Sequence, residues 1–116
     1  MILADRWADK WIDAWNRRDL EAPLALYAPA VEMRSPFAKV YAVDGMVCGI
    51  ESLRDYWGEA MRRMPRLRLE KRAVYSGHLA LTLHYEDDSG RNCVETFLFD
   101  KEDRVVFETA CYDRLR

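Results

Sequence analysis

The sequence predicts one α+β domain over residues 1–116, with helices first and an antiparallel sheet after them. Before Pro65 the apolar residues recur mostly at helical spacing, whereas after it they tend to alternate. The later segments are separated by turns of two to four residues, which favour antiparallel neighbours. A length of 116 residues also suits one compact domain.

Three helices are predicted before Pro65. The first carries Trp7, Trp11 and Trp15 on one stripe, which is typical of a face turned toward a core. Asp19 suits the N-cap of the second, because its side chain can accept a hydrogen bond from the first turn. The third begins with acidic residues and ends with arginines, as the helix dipole favours. The predicted helices span residues 3–17, 20–27 and 50–64.

The predicted strands begin with a short one from Val31 to Ser35, which ends at a Ser-Pro step. A long loop with two glycines is expected over residues 36–49. Four further strands are predicted at residues 67–76, 78–86, 92–100 and 105–112. Alternation divides each late strand into two faces. It does not say which face is inside, because both faces carry apolar residues.

Composition argues against several classes of partner. Eighteen Lys and Arg residues against twenty Asp and Glu residues give a net charge of −2. This leaves no basic excess to neutralise a nucleic-acid backbone. The apolar runs are far shorter than the ~20 residues that span a bilayer, and no signal-peptide core opens the chain. We therefore expect a cytoplasmic protein with neither nucleic acid nor a membrane as its partner.

The three cysteines, Cys48, Cys93 and Cys111, predict neither a disulfide framework nor a zinc site. Their number is odd, no C-x-x-C spacing occurs, and the sequence has only two histidines. The sequence also has no phosphate-binding loop. We expect reduced thiols, no metal and no cofactor.

Four short motifs follow one another along most of the chain. They are Ala-Trp-Asn-Arg-Arg-Asp-Leu-Glu at 14–21, Leu-Tyr-Ala-Pro-Ala-Val at 26–31, Ser-Pro at 35–36, and Gly-Ile-Glu-Ser-Leu-Arg-Asp-Tyr-Trp at 49–57. This order resembles the nuclear transport factor 2-like superfamily, which includes ketosteroid isomerases, SnoaL-like polyketide cyclases and limonene epoxide hydrolases. The resemblance implies a strongly curved, mainly antiparallel sheet that forms a cone around an internal apolar pocket.

The resemblance also implies a homodimer through the outer face of the sheet. Alternation assigns five mostly apolar residues to that face once the other set is turned inward. They are Val94, Leu98, Val105, Phe107 and Cys111. Left in solvent, they would form an apolar patch on a small protein.

The candidate catalytic residues follow from the same resemblance. Glu95 matches the oxyanion-hole acid of ketosteroid isomerases, and that registration turns Glu108 inward as well. A carboxyl group among apolar side chains favours its neutral form and can then donate a hydrogen bond to a developing oxyanion. Ser35 stands where those enzymes have their general base, but a hydroxyl cannot remove a carbon-bound proton unaided. Two other interpretations stay open: Glu95 pairs with Arg91, or Glu108 reaches solvent.

Aromatic side chains with polar tips are expected to line the pocket beside smaller residues, an arrangement that orients a small ligand. The candidate ligand-pocket residues are Trp11, Trp15, Tyr27, Met33, Tyr56, Trp57, Phe97, Ala110 and Tyr112. The expected ligand is a small apolar or aromatic metabolite.

Two classes of function stay open. In the first, the protein is an acid–base isomerase, cyclase or hydrolase in which Glu108 or Ser35 assists Glu95. In the second, it binds a hydrophobic ligand or a protein partner without catalysis. Ser35 disfavours ketosteroid isomerase activity, as does Trp11, which stands where those enzymes have a tyrosine. The epoxide hydrolase relay is incomplete, because Cys93 occupies the place of its arginine.

Overall fold

The structure is a computed structural model, and it describes residues 2–40, 42 and 44–115. Within these residues, three α-helices, a short 3-10 helix and six strands follow one another. They are α1 (Ala4–Asn16), α2 (Glu21–Leu24), β1 (Tyr27–Arg34), the 3-10 helix (Pro36–Val40), β2 (Met46–Cys48), α3 (Ile50–Arg63), β3 (Leu69–Gly77), β4 (Ala80–Asp87), β5 (Asn92–Phe99) and β6 (Val105–Tyr112). The predicted α+β class is confirmed.

The strands form one sheet in the order β2-β1-β6-β5-β4-β3. β1 and β6 run parallel, and the other neighbouring strands are antiparallel. Helix α1 packs against β3, and α3 packs against β1 and β2. The helices therefore cover one face of a mainly antiparallel sheet, and the candidate site lies between them and that face.

The tryptophan stripe of α1 lies in the core, as its spacing predicts. Trp7 meets Phe97 and Phe99 of β5 edge-on, with ring centroids 4.8 and 5.3 Å apart. Trp11 is 2% exposed and makes a similar contact with Trp57 of α3 at 6.5 Å. Offset and edge-on aromatic pairs add to the stabilisation from burial. These contacts join both long helices to the sheet.

The first strand begins earlier than the sequence predicts, at Tyr27 rather than Val31. The second helix is correspondingly a single turn, Glu21–Leu24. The reason is a long-range pairing. The Leu26 carbonyl accepts a hydrogen bond from the Val105 amide, and β1 then pairs in parallel with β6. Tertiary pairing of this kind overrides local helix propensity.

The predicted loop of residues 36–49 contains the 3-10 helix and β2, which the sequence reasoning missed. β2 pairs with the end of β1, with Val47 opposite Met33. Gly49 then turns the chain into α3 with a φ of +90°, a left-handed conformation that favours glycine. Residues 41 and 43 of this predicted loop lie outside the described residues.

The outer face of the sheet differs from the prediction at one position. Val105 is fully buried, whereas its neighbour Val106 is exposed. The cause is an irregularity in the β5–β6 register: Phe99 lies opposite Val105, but Leu98 lies opposite Phe107. The extra residue reverses the alternation at the start of β6. The prediction that Val105 faces outward is therefore wrong.

No helix in the described part of the chain is long and apolar enough to cross a membrane.

Candidate functional site

A cavity of about 390 Å³ lies between the inner face of the sheet and helices α1 and α3. Most of its wall is aromatic or aliphatic, with a few charged side chains. The lining residues are Trp11, Trp15, Met33, Phe37, Tyr56, Trp57, Glu59, Ala60, Arg63, Met64, Leu67, Leu69, Tyr85, Asp87, Arg91, Glu95, Glu108 and Tyr112. A volume of this size suits a small organic ligand.

The structure brings eight of the twelve sequence-predicted site residues to this cavity. They are Glu95, Glu108, Trp11, Trp15, Met33, Tyr56, Trp57 and Tyr112. The other four, Ser35, Tyr27, Phe97 and Ala110, are buried but do not line it. These four therefore act on the cavity only through the residues that they contact.

The strand register places Glu95 and Glu108 side by side on the inner face. On β5 and β6, Glu95 lies opposite Ala110 and Glu108 lies opposite Phe97, so the two glutamates are diagonal neighbours. Met33 of β1 lies opposite Glu108 on the other side. Glu95 is 3% exposed and Glu108 is fully buried. Two carboxyl groups thus share one water-poor wall of the cavity.

Each carboxyl group is held by a tyrosine hydroxyl. Tyr27 donates a short hydrogen bond to Oε1 of Glu108, and the indole Nε1 of Trp11 donates to the Tyr27 oxygen at 3.0 Å. Tyr85 donates to Oε2 of Glu95 at 2.6 Å. The Cys93 thiol lies 3.9 Å from the same oxygen. The chain from Trp11 to Glu108 therefore links α1, β1 and β6.

The remaining carboxyl oxygens, Oε1 of Glu95 and Oε2 of Glu108, are buried and have no other hydrogen-bond partner among the described residues. Burial and the neighbouring Glu95 carboxyl raise the pKa of Glu108 well above its ordinary value. Burial also raises the pKa of Glu95, although hydrogen bonds from Glu108 and Tyr85 oppose that rise. A hydrogen bond between the two carboxyl groups lets them share one proton. The pair then titrates as one unit.

Two interpretations left open by the sequence do not hold in the structure. Glu108 does not reach solvent, because it is fully buried. Arg91 does not pair with Glu95; its Nε lies 3.1 Å from Oδ2 of Asp87. The Glu95 carboxyl therefore has no cationic partner among the described residues to keep it ionised.

Ser35 is buried and interacts with Tyr56, which lines the cavity. Its hydroxyl oxygen accepts a hydrogen bond from the Phe37 amide at 3.2 Å. Burial raises the pKa of Tyr56 to about 12, although a hydrogen bond with Ser35 opposes the rise. Ser35 therefore positions a lining tyrosine and does not itself present a group to the cavity.

The sequence matches the SnoaL-like domain over residues 8–111. The chain belongs to the SnoaL-like domain family. This places it in the nuclear transport factor 2-like superfamily, as its motifs suggest. No curated protein sequence matches this SnoaL-like chain.

Solved structures agree with this assignment. A SnoaL-like protein of unknown function from Burkholderia thailandensis is 38% identical, with 96% of this chain and 95% of that chain covered and a TM-score of 0.89. An NTF2-like protein of unknown function from Burkholderia pseudomallei is 20% identical, with 97% and 92% covered and a TM-score of 0.74. TerC, co-crystallized with polyporic acid, is 14% identical, with 94% and 90% covered and a TM-score of 0.77. The last two likenesses concern the fold alone.

The sequence reasoning missed Tyr85, the hydrogen-bond donor to Glu95 in this SnoaL-like domain. Its signal was present, because Leu81, Leu83 and Tyr85 alternate along β4 and all three are buried. It also missed the wall formed by the end of α3 and the start of β3. That wall consists of Glu59, Ala60, Arg63, Met64, Leu67 and Leu69. They belong to the end of α3, the turn after it and the first residue of β3, so no single periodic pattern groups them.

The polar groups of the site suit proton transfer rather than metal binding. No group of three or more His, Cys, Asp and Glu side chains placed to hold a metal ion occurs among the described residues. Burial and the nearby Glu95 raise the pKa of the Cys93 thiol, so it remains protonated and is a poor nucleophile. Among the lining carboxyl groups, Glu95 and Glu108 are the two that form no ion pair with any described residue.

Proposed function

We propose that this SnoaL-like domain binds a small apolar or aromatic molecule and catalyses proton transfer on it. The observation that carries the proposal is the pair of buried carboxyl groups at the wall of an apolar cavity, each with one oxygen free of other donors. The reaction class is an acid–base isomerisation, cyclisation or hydrolysis. TerC, which was co-crystallized with polyporic acid, supports ligand binding only at the level of the fold.

The two glutamates take different roles because their surroundings differ. Each carboxyl group receives one tyrosine hydrogen bond, so these bonds alone do not distinguish the two glutamates. Burial and the Glu95 charge raise the pKa of Glu108 well above its ordinary value, and Glu108 is fully buried, so we place the proton of the pair on Glu108. Glu95 is thus the base and Glu108 the acid. Divergent environments of paired carboxyl groups assign acid and base roles in this way.

Proton transfer then needs no titratable group outside the pair. A ligand C–H or O–H seated against the Glu95 carboxylate gives up its proton, and Glu108 supplies one to the oxygen or carbon where charge develops. The proton taken by Glu95 then passes to Glu108, which restores the pair. The water-poor wall strengthens both hydrogen bonds. Tyr27 and Tyr85 keep the two carboxyl groups in fixed orientations throughout.

A second candidate function is binding without catalysis. The cavity lining favours it in one respect, because most of that lining is apolar and fits a ligand by shape alone. In that case the carboxyl pair donates a hydrogen bond to a ligand oxygen and exchanges no proton with carbon.

Deuterium exchange separates the two candidates. The probe is 2-tetralone, an apolar bicyclic ketone whose carbon-bound protons are weakly acidic, incubated in deuterium oxide and followed by proton NMR. We expect the protein to accelerate exchange, Glu95→Gln to abolish the acceleration and Glu70→Gln, an exposed control on β3, to leave it unchanged. Binding of 2-tetralone without accelerated exchange contradicts the enzymatic proposal and supports the second candidate.

A further inference from the structure

An arginine forms part of the cavity wall near the carboxyl pair. Arg91 directly precedes β5 and lines the cavity together with Glu95. Its side chain is 18% exposed. The guanidinium carbon lies 4.5 Å from the ring centre of Phe37 and 5.3 Å from that of Tyr112. Two aromatic rings therefore hold a positive charge in a defined orientation beside the ligand space.

Asp87 fixes the same guanidinium from one side only. Its Oδ2 accepts from Nε of Arg91 at 3.1 Å, while its Oδ1 accepts from the Ser89 amide and hydroxyl and from the Arg91 amide. Although burial opposes it, these hydrogen bonds lower the pKa of Asp87, so the pair stays ionised. Neither terminal nitrogen of Arg91, Nη1 or Nη2, donates to any described residue. The end of the guanidinium fork is thus free for a ligand.

A second hairpin provides an internal comparison. Asp100 and Arg104 have the same spacing in the β5–β6 turn, and Asp100 also accepts from the Arg104 amide. There, however, Nε of Arg104 lies 3.7 Å from Asp100, its side chain is 42% exposed, and it does not line the cavity. In both hairpins the Asp-x-x-x-Arg spacing therefore stabilises the turn. Arg91 differs from Arg104 because it contacts two aromatic rings and lines the cavity.

A second arginine, Arg63, lines the cavity at the end of α3. Glu59, Ala60, Arg63 and Met64 line the cavity at the end of α3. Between residues 56 and 69 the chain carries four arginines, whereas Glu59 is the only acidic residue. The four are Arg62, Arg63, Arg66 and Arg68. Of these four, only Arg63 lines the cavity, and its side chain is 59% exposed and paired with Glu59, so solvent screens its charge. Arg91 is the more buried of the two lining arginines.

We infer that the ligand is an aromatic carboxylic acid whose carboxylate is bound end-on by Nη1 and Nη2 of Arg91, with its ring system extending toward Glu95 and Glu108. This inference rests on the proposed function, because it names the ligand class of the same cavity. A planar guanidinium fork matches a carboxylate in two parallel hydrogen bonds. A neutral apolar molecule offers these two nitrogens no acceptor of its own.

The test compares two probes of nearly the same shape. 2-Naphthoate carries the carboxylate, and 2-naphthamide is its neutral counterpart. Binding is measured at neutral pH by quenching of tryptophan fluorescence, since Trp11, Trp15 and Trp57 line the cavity. We expect wild type to prefer the naphthoate by at least about tenfold. Arg91→Gln removes that preference, and Arg104→Gln, the matched control in the other hairpin, retains it.

Each outcome is decisive. Equal affinity of the wild type for both probes, or an undiminished preference in Arg91→Gln, overturns the inference and leaves the proposed function standing. Failure of both probes to bind overturns both. If Arg91→Gln does not fold, Arg91→Lys is the second test variant. Lysine keeps the positive charge but lacks the planar fork of the guanidinium. A preference reduced at least about threefold by Arg91→Lys supports the inference, and an unchanged one contradicts it.

Discussion

Replacing Glu108 by Gln removes the buried acid while keeping its shape and its hydrogen bond from Tyr27. Glu108 is fully buried, and its pKa is raised by burial and by Glu95. In the unfolded chain a glutamate titrates near about 4.3. Between about pH 4.3 and the higher pKa of the folded state, the folded protein therefore keeps a proton on Glu108 that the unfolded chain has released.

The sign and size of the effect follow from linkage. The stability that this proton contributes is fully present below the unfolded pKa and is lost as pH rises toward the folded pKa. One extra proton in the folded state corresponds to a slope of about 1.4 kcal/mol per pH unit. Between pH 5 and 7 the wild type should thus lose up to about 2.7 kcal/mol that Glu108→Gln does not lose, the upper limit being set by one full proton over two pH units.

Denaturation with guanidinium chloride at pH 5, 6 and 7, followed by tryptophan fluorescence, measures this difference. Comparing each variant with the wild type cancels the contributions of the two histidines and the surface carboxylates. Glu70→Gln, an exposed change on β3, should keep the pH dependence of the wild type. Parallel curves for the wild type and Glu108→Gln would refute the reasoning, because Glu108 would then be ionised in the folded state.

Three further predictions concern the core, the thiols and the outer sheet face. Tyr27→Phe removes a hydroxyl that both accepts and donates a buried hydrogen bond, so it should lower the free energy of unfolding by about 3 kcal/mol in urea denaturation. Thiol titration should label exposed Cys48 in the native protein and buried Cys93 only after unfolding, with three thiols per chain in denaturant; a total of one would contradict the expected reduced state. Light scattering after gel filtration should give a dimer that Leu98→Glu dissociates, since Leu98 is exposed on the outer face; a wild-type monomer at micromolar concentration would disprove this.

Local patterns were sufficient for most of the fold. The alternation along β4, β5 and β6 and the short turns between them are properties of neighbouring residues, so the sequence could reveal them. β2 could not be found in this way, because a three-residue strand exists only through its pairing with β1. The outward assignment of Val105 failed for a similar reason. A bulge depends on the partner strand and leaves no periodic signal.

The sequence could indicate where the two glutamates lie, but not the hydrogen bonds that hold them. Alternation put Glu95 on one face with Phe97, and the family resemblance turned that face inward. The hydroxyl that holds Glu108 comes from Tyr27, which is 81 residues away in the chain. A contact at that separation is created by the parallel pairing of β1 with β6, which the sequence reasoning did not anticipate.

The central claim is that a carboxyl group at the cavity wall keeps its proton at neutral pH. Carbon-13 NMR of protein labelled at the glutamate side-chain carboxyl carbon observes this group directly. At pH 7 we expect one resonance at the chemical shift of a protonated acid, titrating well above the others, and its loss in Glu108→Gln. If every glutamate carboxyl carbon has the shift of an ionised carboxylate at pH 7, Glu95 and Glu108 share no proton and the acid–base account is wrong.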